Sequence, residues 1–533
     1  MPAATQRQRK KQKASHQDYP AERSTVVTLA GAAAAGAVLG LSAPGFEQWF
    51  LAWAGLVPLL LLVVSSDGAG QAFLRGAVFA LGYNLVYLNW YLGLHPLTWL
   101  GFDPLASAAL AGAAWVLVSA HQAIITGGFA ALARLLPLTG GFLPQPVEGK
   151  IKLPSLVVLP LVWVLLHNKV GNAHDLLGVP WSMLEYSQYR QLPLIQVASL
   201  VGGVGIGALL VMSNTAIAGL FATLSRKLAW KSLAARTTGD AVRQLLCVAL
   251  LVAVVCAWGA SRASRERVGG TLPATVIQGN VNIDMQKTEH RYSLAELLQQ
   301  QAELMQRCPP GLCILAENAV PTYLRNERTV AAYLAAMALS RRVDLVVGCL
   351  DRDSAGRPYN SAFGIAHDGT LLQDAYHKRY LVPFGEYAPA LVEYMPEWIH
   401  RLTNTPAGGG FAAGKQPVVL SLPSGKIAPL ICFETISPEL VAESVRKGGT
   451  LLVNLSDLAW FHDSMIGDQM LAFAVLRAVE NGRYFVFAGN SGPSAIIEPS
   501  GQIAQRSPVG KPAVLVGKTA NCSEITPFTF WFR

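Results

Sequence analysis

Seven apolar runs follow one another through the first half of the chain, at roughly 25–43, 48–66, 72–92, 105–133, 153–168, 193–222 and 244–261. Most approach the ~20 residues needed to cross ~30 Å of hydrocarbon; the run at 153–168 is the shortest. A soluble core does not need seven such runs in succession. They predict a multi-span α-helical membrane bundle over residues 25–262, preceded by a polar, basic tail at 1–24. Composition agrees: 52% of the 533 residues are hydrophobic and 14% charged, where soluble chains average about 25% charged.

The net charge of +9 is distributed as a topology signal, which argues against a nucleic-acid partner. Arg7, Arg9, Lys10, Lys11, Lys13 and Arg23 precede the first run, and the loops at 134–152 and 223–243 are also basic. The loops at 44–47 and 93–104 contain no Lys or Arg, and the loop at 169–192 has only Lys169 and Arg190. With the tail in the cytoplasm, seven crossings put everything after about residue 262 outside. Within the runs, Arg75 and His121 are the main ionisable groups, with Asn84, Asn89 and Asn214 nearby. A pump would carry more paired charges at depth; these residues read as glue between helices.

From about Thr271 the chain changes character. Short β-rich runs (274–278, 312–315, 343–348, 361–366, 418–422, 427–432, 450–455, 484–488, 494–497) alternate with helical patterns at 293–308, 330–341, 438–447 and 468–481. Hairpin signals stand at Asp368-Gly369 and Ser424-Gly425. This predicts a mixed α/β layered domain over residues 271–533. The seven cysteines form no CxxC pair, and no HExxH run exists. No metal or cofactor is expected. Cys308 and Cys313 bracket a Pro-Pro-Gly turn, compatible with a disulfide or with two neighbouring thiols.

Three segments carry chemistry. Leu430-Ile-Cys432-Phe-Glu434 ends an apolar strand in a thiol; Ile314-Leu-Ala-Glu317 ends another in a carboxylate; Tyr376-His-Lys378-Arg379 opens a loop that continues to Glu386. Strand ends are where a rigid scaffold presents reactive groups. A thiol that attacks a carbonyl needs a base, which Glu317 supplies. The oxyanion that follows needs a cation such as Lys378 beside a backbone N–H, for which Phe433 is the candidate. Glu386 is placed to hold either the lysine or the incoming nucleophile. Taken singly, Cys432 reads equally as a core residue, Glu317 as a loop acid and Lys378 as part of a surface basic patch.

The three segments together resemble the nitrilase superfamily, whose members set a Glu-Lys-Cys triad on an αββα sandwich. Tyr376-His-Lys-Arg-Tyr-Leu-Val-Pro-Phe-Gly-Glu-Tyr-Ala-Pro389 is similar to the lysine segment of the bacterial apolipoprotein N-acyltransferase family. Val276-Ile-Gln-Gly-Asn280, Asn360-Ser361 and Ala459-Trp-Phe461 match as well, so the resemblance covers nearly the whole chain. It implies a phospholipid acyl donor, an apolipoprotein acceptor and a place in the bacterial inner membrane with the catalytic domain facing the periplasm; a monomer is the simplest expectation. It also implies Glu317 as base, Lys378 as oxyanion support and Cys432 as the acyl-accepting nucleophile. Glu386 and Glu434 become supporting acids, and Trp460 and Phe461 fall near a lipid entrance. The chain departs from the family in four places. The base lies in Leu-Ala-Glu-Asn318 rather than Trp-Pro-Glu-Ser/Thr. Asp457-Leu-Ala-Trp-Phe-His462 replaces Asn-Asp-Ala-Trp-Phe-Gly, and Ala488-Gly-Asn-Ser-Gly492 replaces a Thr-Asn-Asn-Gly-like run. The aromatic end Phe528-Thr-Phe-Trp-Phe-Arg533 is expected at the membrane interface, in place of a further span. The rival expectations are a membrane-tethered amidase, an acyltransferase with another amine acceptor, and a non-catalytic envelope module.

Overall fold

The computed structural model describes residues 21–147, 150–167, 181–225, 231–264, 271–282, 292–383, 385–387 and 410–532. The basic tail up to residue 20, residues 169–180 of the loop at 169–192, and Phe384, Ala388 and Pro389 of the lysine segment lie outside the described residues.

Helices cover all seven apolar runs: α1 (Ala21–Gly40), α2 (Val57–Val64), α3 (Ala69–Tyr87), α4 (Pro104–Leu135), α5 (Ser155–Leu165), α6 (Leu192–Ile195), α7 (Ala198–Val201), α8 (Gly203–Ser225) and α9 (Thr238–Ala263). Among the described residues, α4, α8 and α9 are long and apolar enough to cross a membrane. Asp103 starts α4 by accepting the N–H groups of Leu105 and Ala106 at 2.9 and 3.1 Å, and Pro104 follows as its first residue.

Two runs are broken, which periodicity did not reveal. The run at 48–66 splits into a 3₁₀ turn at Trp49–Trp53 and the short α2. Asn214 on α8 stitches the break, accepting from Leu56 N at 2.7 Å and donating to Ala52 O at 2.8 Å. The run at 193–222 is interrupted at Gly202, whose φ of +78° ends α7 before α8 begins. Arg75 donates to Leu62 O near the C-terminus of α2 at 3.1 Å. Both polar residues therefore act as glue between helices. α1 and α3 cross at Gly36 and Gly82. A Cβ on either would lie about 2 Å from a carbonyl oxygen of the other helix (Phe79 O at 1.8 Å, Ala33 O at 2.1 Å). Only glycine permits that approach.

The segment expected as a plain loop at 134–152 contains a small ribbon, β1 (Leu138–Thr139), β2 (Gln145–Val147) and β3 (Lys150–Pro154). The α/β domain starts at β4 (Leu272–Gln278). It continues through helix α10 (Leu294–Met305), β5 (Gly311–Leu315), β6 (Val320–Tyr323), helix α11 (Arg328–Arg341), β7 (Val343–Arg352), β8 (Pro358–Ile365) and β9 (Tyr376–His377). Its second half holds β10 (Leu420–Leu422), β11 (Gly425–Ile431), α12 (Pro438–Arg446), β12 (Leu451–Ser456), α13 (Ile466–Asn481), β13 (Phe485–Gly489), β14 (Ala495–Ile497), β15 (Ile503–Arg506), β16 (Ala513–Thr519) and the terminal α14 (Pro527–Trp531).

These strands form two facing sheets, ordered β16-β4-β5-β7-β8-β9 (with β6 beside β7) and β10-β11-β12-β13-β14-β15. β4, β5 and β7 are parallel, as are β11, β12 and β13; the outer pairs are antiparallel. Alternation along the strands divides the core. Val276, Ile314 and Val346 join the apolar cluster between the sheets, whereas Ile277, Leu315, Leu345 and Val347 join the cluster under α10 and α11. β15 and β16 were not expected from the sequence. β16 crosses back from the second sheet to pair antiparallel with β4, from Thr519 opposite Leu272 to Ala513 opposite Gln278. Cys308 and Cys313 are free thiols with sulfurs 3.5 Å apart.

Candidate active site

β11 lies second in its sheet, parallel to β12, and stops at Ile431; Cys432 then takes φ +55° and opens a 3₁₀ turn. A left-handed cysteine is strained by ~1–2 kcal/mol. The turn is secured by Asn454 on β12, whose Nδ2 donates to Cys432 O at 2.9 Å and Thr435 Oγ1 at 2.7 Å. Ser456, the last residue of β12, points its hydroxyl at Cys432 Sγ, 3.6 Å away. The elbow projects the thiol off the strand end, and only 5% of Cys432 is exposed.

Glu317 follows β5, and Lys378 follows β9. Lys378 Nζ donates to Glu317 Oε1 at 3.0 Å and to Glu386 Oε1 at 2.9 Å. Asn360 on β8 donates one amide nitrogen to both carboxylates, each at 2.8 Å. The second oxygen of Glu317 accepts Asp457 N at 2.9 Å, and that of Glu386 accepts Val382 N at 2.9 Å. The lysine is thus fixed between two acids, themselves fixed by an amide and by backbone.

Glu434 does something different from the other acids. It accepts from Ile431 N (2.6 Å), Arg379 N (2.6 Å), Tyr380 N (3.1 Å) and the Tyr376 hydroxyl (2.8 Å). It therefore ties the lysine loop to the cysteine elbow through their backbones, which sets the distance between the two reactive groups.

The charges interact strongly because the site is buried. Burial pushes the Cys432 thiol well above its usual range, the Glu317 carboxylate adds to that, and the Lys378 ammonium opposes it. Burial also raises Glu317; Lys378 opposes, while Glu386 and Asp457 reinforce the rise. Burial would pull the Lys378 ammonium down, but Glu317 and Glu386 hold it well above the ordinary lysine value. Burial thus holds the proton on the thiol, makes the Glu317 carboxyl more basic and leaves the lysine a fixed cation. Such a site can take a thiol proton as the sulfur attacks, and stabilise the oxyanion that forms.

An aromatic cluster joins the elbow to the helices. Phe433 stands 4.7 Å from Trp181 and 6.0 Å from Phe461, and Phe461 lies 5.1 Å from Trp90, all edge to face. Trp460 is turned away onto Trp99 at 4.8 Å. The structure thus brings Glu317, Lys378 and Glu386 into direct contact, sets Cys432 within their field, and puts Glu434 one step behind. Phe433 and Phe461 belong to the aromatic cluster, and Trp460 packs outside it on Trp99. Asn454, Ser456, Tyr376 and Asp457 gained no role from sequence, and Asn360 only a motif match. Their one signal was position, since Ser456 and Asp457 also stand at a strand end. Among the described residues no group of three or more His, Cys, Asp or Glu side chains is arranged to hold a metal.

The sequence profile of the carbon-nitrogen hydrolase family matches residues 274–519, and that of the apolipoprotein N-acyltransferase N-terminal domain matches residues 35–216. The apolipoprotein N-acyltransferase of Geobacter metallireducens is 32% identical over 91% of this chain and 87% of its own length. That of Gloeobacter violaceus is 29% identical over 96% and 91%. Among solved structures, Saccharomyces cerevisiae Nit3 of the nitrilase superfamily aligns at 17% identity over 48% of this chain and 93% of its own, with a TM-score of 0.37.

Proposed function

The chain belongs to the apolipoprotein N-acyltransferase family, and from that premise we propose that Cys432, Glu317 and Lys378 carry its acyl transfer as nucleophile, base and oxyanion support. The enzyme N-acylates lipoproteins. The observation that supports the residue assignment is the Lys378 ammonium held 3.0 Å from Glu317 and 2.9 Å from Glu386 beside the Cys432 elbow.

The reaction runs in two halves. Glu317 takes the thiol proton as Cys432 Sγ bonds to the ester carbon of a phospholipid. The resulting oxyanion faces the Lys378 ammonium and the N–H of Phe433. Collapse breaks the ester C–O bond, and Glu317 returns its proton to the departing lysophospholipid, leaving a thioester. The free α-amine of the lipoprotein's diacylglyceryl cysteine then attacks the thioester. Glu317 takes the amine proton and returns it to the sulfur, which leaves the amide and regenerates the thiol. Glu386 holds the lysine, and Glu434 holds the lysine loop against the elbow. Phe433 and Phe461 receive the acyl chain, with Trp460 at the outer rim.

In this reading residues 25–262 form the membrane bundle and 271–533 the catalytic domain outside the bacterial inner membrane. The lengths of α4, α8 and α9 support it, as does the outward apolar surface of α9 at Leu246, Leu250 and Val254. So does the distribution of Lys and Arg among the loops.

Intact-mass analysis of the purified protein after exposure to phospholipid tests the assignment. The wild type gains the mass of one acyl chain, removable by hydroxylamine at neutral pH, and a diacylated lipopeptide collects it. Cys432→Ala gains nothing. An acyl adduct that persists in Cys432→Ala would sink the proposal, and ammonia release from small amides without lipopeptide acylation would point to an amidase.

A further inference from the structure

Glu317 is held from two sides. Lys378 and Asn360 occupy Oε1, and the N–H of Asp457 occupies Oε2. Asp457 directly follows Ser456, the residue whose hydroxyl meets Cys432 Sγ. Its own carboxyl is buried (8% of the residue exposed) and aimed inward. Oδ1 accepts from Ala459 N at 3.1 Å and from Asn490 Nδ2 at 2.9 Å. Asn490 is clamped in turn: Oδ1 accepts Val281 N at 3.0 Å, Nδ2 donates to Val281 O at 2.7 Å, and its N–H donates to Ser456 O at 2.9 Å. Two loops and the end of β12 thereby fix the carboxyl of the residue whose N–H meets the base.

The charge count gives this placement a consequence. Glu317 is faced by Lys378 after β9, Glu386 in the lysine loop, Asp457 after β12 and the Cys432 thiol at the elbow. The Lys378 ammonium pairs with the Glu317 and Glu386 carboxylates, and the Asp457 carboxylate adds a further negative charge near the base. Each added negative charge makes a proton on Glu317 more welcome. Burial is the largest contribution in that direction, with Glu386 and Asp457 adding to it.

We propose that Asp457 is a positioning residue for the acyl transfer: its N–H orients Glu317, and its carboxylate makes Glu317 the stronger acceptor of the Cys432 proton. This rests on the assignment of Glu317 and Cys432 above. The residue touches neither substrate nor sulfur and works through the base.

The test is Asp457→Asn in the full-length protein, which keeps the N–H and the side-chain shape and removes the charge. The rate of thioester formation from phospholipid is followed against pH in a single turnover. The acid limb, where Glu317 must lose its proton, moves to lower pH by about half a unit or more. The plateau falls roughly two- to tenfold because the base is weaker. Asp457→Glu, which keeps the charge, restores the wild-type limb. A limb within 0.2 pH units of wild type in Asp457→Asn overturns the proposal. If that variant fails to fold, Asp457→Ser has the same N–H without the charge and is read the same way. If the wild type forms no thioester, the failure belongs to Cys432 and Glu317 and not to Asp457.

Discussion

A cysteine at φ +55° needs a neighbourhood that outweighs its strain. Asn454, Ser456 and the four donors on Glu434 supply it, and most of those donors belong to segments that also hold the lysine. Strain and reactivity are therefore maintained by the same contacts. Lys378 is the most consequential single side chain, because two buried carboxylates depend on it. Lys378→Met leaves Glu317 and Glu386 uncompensated and lowers stability by about 3–5 kcal/mol. The measurement is an apparent melting temperature in detergent, and acylation is lost in the same variant. A melting temperature equal to wild type would mean that the acids find other partners. Glu317 and Cys432 were legible in the sequence because each follows an apolar strand, and Lys378 through the motif of its loop. Asn360 was not legible as a partner: it lies 43 residues from Glu317, and only the pairing of β7 with β8 brings it near.

At the scale of elements, strand alternation and helix caps were readable locally. Ser293 and Glu296 form a capping box where the pattern predicts a helix start. What escaped was anything fixed by a distant partner. β16 has the right residues (Ala513-Val-Leu-Val-Gly-Lys-Thr519) but earns its place only against β4. The breaks at Trp53–Val57 and Gly202 escaped for the same reason, since Asn214 and α13 stabilise them from elsewhere. α13 contributes Glu480, whose Oε1 accepts the N–H of Gly203 at the start of α8 (2.9 Å) and pairs with Arg477 Nη2 (2.8 Å). A carboxylate there satisfies both an orphan N–H and the positive end of the helix. Glu480→Gln keeps an acceptor for Gly203 but strands the buried Arg477 charge. The expected loss is about 3 kcal/mol or more, read as a fall in apparent melting temperature. Glu480→Gln combined with Arg477→Met recovers a large part of it. Failure of the double variant to recover would assign the loss to the cap instead.

Among the described residues one apolar cluster crosses from the helices into the α/β domain. It runs from Ala32 and Leu56 through Trp90, Trp181 and Phe433 to the strands of both sheets. The bundle and the α/β domain are thus welded rather than tethered. His462 Nδ1 meets Gly93 O at 2.8 Å, and Gln469 Nε2 donates to Tyr87 O at 2.8 Å. Glu185 lies in this seam, in the segment between the fifth and sixth apolar runs. Burial raises its carboxyl to about 7, and Glu480 nearby adds to the rise while Arg477 opposes it. A carboxyl whose folded value lies above its unfolded value stabilises the fold while protonated. Its contribution is complete below about pH 4.5 and disappears as pH rises through about 7. The amount is about 3 kcal/mol over that window. Glu434 and Glu480, also raised by burial, act in the same direction. Apparent melting temperature in detergent therefore falls between pH 5 and pH 8, and Glu185→Gln flattens the slope. An unchanged slope in that variant would remove Glu185 from the account.

The return of β16 to β4 bears on how the protein is made. A chain emerging from the ribosome completes β4 early and then must present nearly the whole domain before the strand that covers its open edge exists. Until then Leu272–Gln278 offers a row of unpaired backbone groups, and Gln278 still lacks the carbonyls of Pro508 and Lys511 to which its side-chain amide donates. The first sheet closes last. Nascent chains stalled with residue 513 not yet across the membrane should therefore be protease-sensitive along β4 and bind holdase chaperones, whereas chains with Thr519 already across should resist both.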